Sequence, residues 1–414
     1  MATKKLAMKG DLGNPQPVKG ATDTVLLKNL LSQYPGYFGS LLADPESYRI
    51  QIIYSSIDRK PGNKPVFTDH YFQVDPDRYF YPASTVKMPT ALLALQRLRE
   101  LNIPGLDKNS PMVTGAAYSG QNEVLNDPTT PEGKPSIGHY VKKIFLVSDN
   151  DAFNRLYEFL GPEYINNQLH RMGYDRTAII HRLERALSED ENRHTNPVQF
   201  LGEKGNVVYD QPMQFYSEPY AERSEKLGNG YMKGDELING PMDFSRKNRL
   251  VLQDLHDLLK SIIFPEAVPP RKRFRITPED YRFVWKYMSQ YPPETLYPTY
   301  DSTNYWDAYC KFIYWGSEKG PLPKTLRIFN KVGDAYGFLI DAAYVVDFDR
   351  KVEFMVSACI YCNADGVLND SKYDYDSIGF PFLKNLGRVL YDLELNRKRK
   401  HWPDLSAFRF AYEK

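Results

Sequence analysis

Ser84 and Lys87 stand three residues apart in Tyr81-Pro82-Ala83-Ser84-Thr85-Val86-Lys87-Met88, the one Ser-x-x-Lys of the chain. Residues i and i+3 of a helix share a face, so an amine at position 87 can reach a hydroxyl at position 84. A neutral serine is a poor nucleophile near pH 7, and an adjacent amine of lowered pKa can take its proton. A helix is expected here because Pro82 stands just before its start and Met88, Ala91, Leu92, Leu95 and Leu98 recur at helical spacing. A serine in the first turn also sets its own N–H at the positive end of the helix dipole, where an oxyanion is stabilised. The same spacing serves an ordinary helix cap followed by a solvated lysine, so the pair takes its meaning from what accompanies it.

The elements that must hold this pair fall into three blocks. Residues 1–22 are rich in Gly, Pro and Lys and are expected to be poorly ordered. A Leu-rich helix over 24–32 precedes two strands, Tyr48–Ser55 and Val66–Phe72, around the turn-rich stretch 58–63. A helical middle follows, over 84–101, 137–147, 152–160 and 162–171, with further helices at 248–262 and 278–289. Between Gly202 and Phe244 periodicity disappears, yet five aromatics from Tyr209 to Tyr231 argue for a packed insertion or lid, not a flexible linker. Strands are expected at Leu326–Asn330, Gly337–Val346 and Val352–Cys362, then a helix at 382–396. Terminal strand blocks flanking a helical middle predict an α+β, two-lobed architecture. Its antiparallel sheet comes from the N- and C-terminal segments, is flanked by helices, and has an all-helical lobe inserted. Residues 23–414 then form one domain, with a sheet lobe of 23–80 and 325–414, a helical lobe of 81–324 and an insertion at about 203–244.

Composition narrows the function. Lys and Arg total 53 against 52 Asp and Glu, so no global field favours nucleic acid or an anionic membrane. The local runs Arg271–Arg273 and Arg397–Lys400 read as solvated surface. With 42% hydrophobic residues the chain can build a large core, but no apolar run reaches the eighteen or so residues of a membrane span. Met1-Ala2-Thr3-Lys4-Lys5 has no apolar stretch behind its charges, and a soluble chain is expected. Cys310, Cys359 and Cys362 offer no disulfide framework, and Cys359-Ile360-Tyr361-Cys362 lies in a strand-like run where buried thiols are expected in preference to a zinc or redox half-site. Neither metal nor cofactor is called for.

Two further motifs follow in order. Ser148-Asp149-Asn150 lies on a short loop between helices, and Lys331-Val332-Gly333 opens the C-terminal strand block, where Gly permits close backbone approach. Each has an ordinary reading by itself, the first as a helix cap. Ser-x-x-Lys opening a helix, then Ser-Asp-Asn between helices, then Lys-x-Gly on a strand resembles the penicillin-recognising serine enzymes, and the whole pattern is similar to class A β-lactamases. The resemblance covers Phe80–Leu98, His139–Leu160 and Lys331–Cys362, and implies a β-lactamase/transpeptidase-like fold. Ser302-Thr303-Asn304, a rival Ser-x-Asn, lacks flanking helices and is discounted.

Carried over by motif, Ser84 resembles the acylated nucleophile and Lys87 the amine that activates it. Ser148 resembles the group relaying a proton to the leaving nitrogen, with Lys331 holding that hydroxyl and the substrate acid. Asn150 resembles the residue that hydrogen-bonds the acyl amide. The backbone N–H groups of Ser84 and of Asp334, just past Gly333, resemble the oxyanion hole. Arg182-Leu183-Glu184 stands at the family's usual offset from Ser148, making Glu184 the candidate base for deacylation ahead of Glu189 and Glu191. Arg185 and Ser188 follow where the family usually has Pro and Asn. A second departure concerns the substrate: Val332 has no hydroxyl for a β-lactam carboxylate, Asp334 adds a like charge beside it, and no arginine lies on 337–346 to compensate.

The resemblance thus implies a serine hydrolase that cleaves an amide, such as a β-lactam ring, or a related acyl substrate through a Ser84 acyl-enzyme. The alternatives are a cell-wall peptide or ester hydrolase of the DD-peptidase kind, and a non-catalytic binding protein that keeps the fold. It further implies a small-molecule or cell-wall-derived acyl partner, a monomer, and a bacterial, periplasmic or otherwise extracytoplasmic location.

Overall fold

The computed structural model describes residues 25–414, so the poorly ordered segment expected over 1–22 lies outside them. Its centre is a five-stranded antiparallel sheet of β1 (Gln51–Lys60), β2 (Lys64–Phe72), β3 (Leu326–Ala335), β4 (Phe338–Asp347) and β5 (Val352–Tyr361), in the order β3-β4-β5-β1-β2. Along β4 every residue is buried, and alternate side chains enter opposite cores: Ile340, Ala342, Tyr344 and Val346 face one, Leu339, Ala343 and Val345 the other. That alternation is the period-2 geometry of a strand covered on both sides.

One face is covered by α1 (Val25–Ser32), α2 (Pro35–Ala43) and the C-terminal α8 (Phe380–Asn396). The other carries α3 (Lys87–Leu101), α4 (Ile137–Val147), α5 (Asn150–Arg171), α6 (Leu252–Ile263) and α7 (Pro278–Ser289). The two helices expected at 152–160 and 162–171 are both present within this span, separated at Gly161, whose φ of 72° leaves the helical region ahead of Pro162. The helix expected from Asn248 begins at Leu252, because Asn248 is fully buried and spends its amide on the backbone of Ile180 and His181.

The inserted lobe is not all-helical. Met112–Thr114, Val198–Leu201 and Val207–Gln211 form a small antiparallel sheet. Within the insertion, Gly230–Lys233 pairs with Glu236–Asn239 and, in parallel, with Val367–Leu368. Strands of two to five residues are too short to display an alternation, and tertiary pairing makes them. Most residues of the insertion are exposed or half-buried, but its end is anchored: Phe244 is fully buried against Tyr81 and Tyr336, the latter beside the cleft described next.

Candidate active site

Ser84 sits in a 3-10 turn, Ala83–Val86, that leads directly into α3. The turn is pinned by Thr85, whose N–H and hydroxyl both donate to the Pro82 carbonyl, at 3.0 and 2.6 Å. Against it lies β3, so close that a Cβ on Gly333 would stand 2.9 Å from the Pro82 oxygen and 3.1 Å from the Ser84 nitrogen. Gly333 is therefore a steric requirement of this packing, and it brings the Asp334 backbone beside that of Ser84.

Behind Ser84 stand two buried amines. Lys87 Nζ donates to Asn150 Oδ1 at 2.6 Å, to Ser148 Oγ at 3.3 Å and to the Ser148 carbonyl. Lys331 Nζ donates to Ser148 Oγ at 2.8 Å and to the Val332 carbonyl at 2.9 Å. Lys87 is held well below the usual lysine range, first by burial and then by the charge of Lys331. Burial brings Lys331 down to about 8. The pair divides the labour that one low-dielectric pocket permits: Lys331, at about 8, keeps its proton at neutral pH, and Lys87 is the amine that burial and a neighbouring cation press toward its free base. Because both amines donate to Ser148 Oγ, its lone pairs are occupied and its own proton is free for an acceptor in the cleft. The reach of Lys87 to Ser84 expected from spacing is not the resting arrangement, for its amine is committed to Ser148 and Asn150.

Ser148 is the left-handed C-cap of α4, at φ 59°, and Asp149 caps α5 by accepting from the Ala152 N–H at 2.7 Å. Asn150 opens α5 and bridges the site, since its Nδ2 donates to Glu184 Oε2 at 2.7 Å while its Oδ1 accepts from Lys87. Glu184 adopts φ 53° at the head of a loop fixed from behind. Asn154 clamps Leu183 through both its N–H (2.8 Å) and its carbonyl (3.0 Å), and buried Arg182 pairs with Glu158 at 2.8 Å. Glu189 instead pairs with Arg193 and Arg246, and Glu191 closes a capping box with Ser188, so neither competes for the cleft. Asn304 is spent on an exposed turn with Asp301.

The structure thus brings Ser84, Lys87, Ser148, Asn150, Glu184, Lys331, Gly333 and Asp334 to one place. Val332 joins its wall with an apolar side chain. Two cavities, of about 980 and 470 Å³, meet there and share Ser84, Asn150, Glu184 and Asp334. Sequence reasoning missed the wall of the larger one, formed by Tyr305, Trp306, Tyr309 and Cys310. The Cys310 thiol is pushed up to about 11 by burial, and Cys359 and Cys362 are likewise free and buried. Asn154 was also missed, although its place one helical turn after Asn150 was a usable signal. Among the described residues no His, Cys, Asp and Glu grouping suits a metal, and no helix is long and apolar enough to cross a membrane.

The chain is similar to several solved structures. A beta-lactamase from Sphaerobacter thermophilus shares 13% identity over 86% of this chain and 97% of that one, with a TM-score of 0.43. PBP-A shares 16% over 89% and 96%, at 0.48. A beta-lactamase from Chitinophaga pinensis shares 12% over 88% and 99%, at 0.48. A search among curated proteins gave no match. A family model of the beta-lactamase enzymes matches residues 27–373, most of the chain, and on that match the protein belongs to the beta-lactamase enzyme family.

Proposed function

We propose that the protein is a serine hydrolase of the class A type, cleaving an amide or ester through a Ser84 acyl-enzyme. The observation that carries this reading is the Ser148 hydroxyl held between Lys331 and Lys87 beside Ser84, a proton donor with no other duty. Lys87, as the free base that burial favours, turns from Ser148 to take the Ser84 proton as Oγ attacks the carbonyl carbon. The N–H groups of Ser84 and Asp334 receive the oxyanion, an interaction of a kind whose loss costs about a hundredfold in rate. The C–N or C–O bond breaks, and the leaving atom takes its proton from Ser148, which Lys87 replenishes. Glu184 then removes a proton from water as it attacks the acyl ester, and Ser84 leaves with its proton restored. Asn150 holds the acyl amide and keeps Glu184 in register. An extracytoplasmic location and a monomeric state belong to the same reading.

Val332 and Asp334 favour an acyl substrate other than an anionic β-lactam, such as a cell-wall peptide or ester, because neither side chain offers a donor to a carboxylate. Intact-mass measurement after exposure to a fluorophosphonate or penicillin tests the core claim. An adduct on Ser84, absent from Ser84→Ala, is expected with the first. No adduct with any acylating probe would leave a binding protein as the surviving reading. Steady turnover of a chromogenic cephalosporin would overturn the preference for a non-lactam substrate.

A further inference from the structure

The larger cavity is the leaving-group side of the cleft if Ser148 donates to the leaving atom, for Ser148 lines it. Asp334 and Asp376 line it too, and neither carboxylate makes a hydrogen bond or ion pair among the described residues. The cations that could answer them are occupied. Lys331 and Lys87 are buried donors to Ser148, and Lys319, the one basic residue on the cavity wall, lies over the Trp306 ring at 4.8 Å. The wall beside the two carboxylates is aromatic and apolar, made by Tyr309, Phe312, Phe380 and Val332. Aromatic faces are favourable to cations.

Resting on the acyl-enzyme reading above, we propose that Asp334, assisted by Asp376, selects substrates whose leaving half carries a cation, an ammonium or guanidinium, and rejects those carrying a carboxylate. Asp334 is open to the cleft yet hemmed by protein, and burial raises its carboxyl above the usual range while Lys331 and Lys87 oppose the rise. A free anion in that position favours a cationic partner and repels an anionic one. Gly333 lets β3 seat against the Ser84 turn, and Asp334, the next residue along the strand, lines the same cavity as Ser84.

Three aryl phosphonate probes test this, identical except for an ammonium, a neutral amide or a carboxylate on the leaving phenol, with Ser84 labelling followed by intact mass. At low salt the ammonium probe is expected to label at least about tenfold faster than the carboxylate probe, and the ratio to shrink as salt rises. Asp334→Asn should reduce that ratio about tenfold, and Asp376→Asn should reduce it less. Because the readout is a ratio within each variant, a change in overall reactivity does not disturb it. Equal labelling by the charged probes, or a ratio unmoved in Asp334→Asn, overturns the proposal alone. Failure of all three probes to label brings it down together with the serine-enzyme reading.

Discussion

Gly333→Ala should disable acylation through geometry alone. The added Cβ would meet the Pro82 oxygen at 2.9 Å and both the Ser84 nitrogen and Thr85 Cγ2 at 3.1 Å. Ordinary contact needs about 3.4 Å or more, so β3 and the Ser84 turn must part by roughly half an ångström. Neither side yields easily. The turn is closed on Pro82 by two hydrogen bonds from Thr85, and Gly333 is held in register with Ile340 of the buried β4. Overpacking of this kind costs about 1–3 kcal/mol of stability. The larger effect falls on chemistry, because the displaced pair are the proposed oxyanion donors, and losing one is worth about a hundredfold, or 3 kcal/mol. The assay is the second-order rate of Ser84 labelling by a fluorophosphonate, run beside thermal unfolding. Labelling within about threefold of wild type in a folded variant would refute the argument that this contact positions the donors.

Two further outcomes follow from the same geometry. The acylation rate should rise with pH as Lys87 becomes a free base and fall above about 8 as Lys331 loses its charge; Lys331→Met should abolish the fall and, by removing a neighbouring cation, shift the rise to higher pH. A profile level from pH 7 to 10 in the wild type would contradict these roles. Asn154→Ala releases both hydrogen bonds to Leu183 and should slow deacylation while leaving acylation nearly intact, so that acyl-enzyme accumulates in intact-mass spectra much as in Glu184→Gln. Equal turnover by Asn154→Ala and wild type would dissociate the clamp from the position of Glu184.

The parts of this site legible in the sequence are those whose geometry is local. Ser84 and Lys87 lie one turn apart, Ser148-Asp149-Asn150 joins two helices by cap chemistry, and Lys331–Gly333 belongs to a strand long enough to display its period. The sheet and helix order were readable for the same reason. What escaped is made by contacts between distant segments. The aromatic wall at 305–315 has no period of its own and is held by a glycine on another element. A Cβ at Gly387 of α8 would collide with the Tyr314 backbone. The resting direction of Lys87 was equally beyond local spacing, because its acceptors arrive from α4 and α5.

Backbone strain gives this cleft a common logic. Ala83, Ser148, Glu184 and Tyr336 all have positive φ, between 46° and 59°, and all surround Ser84, although none is glycine. Each such conformation costs on the order of 1 kcal/mol or more, so it persists only where neighbours over-determine it. The neighbours are visible in each case. Ser148 is tied through its N–H to Ile144, Tyr336 packs edge-on to both Tyr81 and Phe244, Thr85 closes the turn after Ala83, and Asn154 holds the residue before Glu184. Ala83 directly precedes Ser84, Ser148 and Glu184 are themselves proposed to act, and Tyr336 stands two residues past Asp334. The insertion enters this logic through Phe244: by packing on Tyr336 and Tyr81 it braces the strand end next to Asp334, which ties the end of the segment at 203–244 to the shape of the cleft around Ser84.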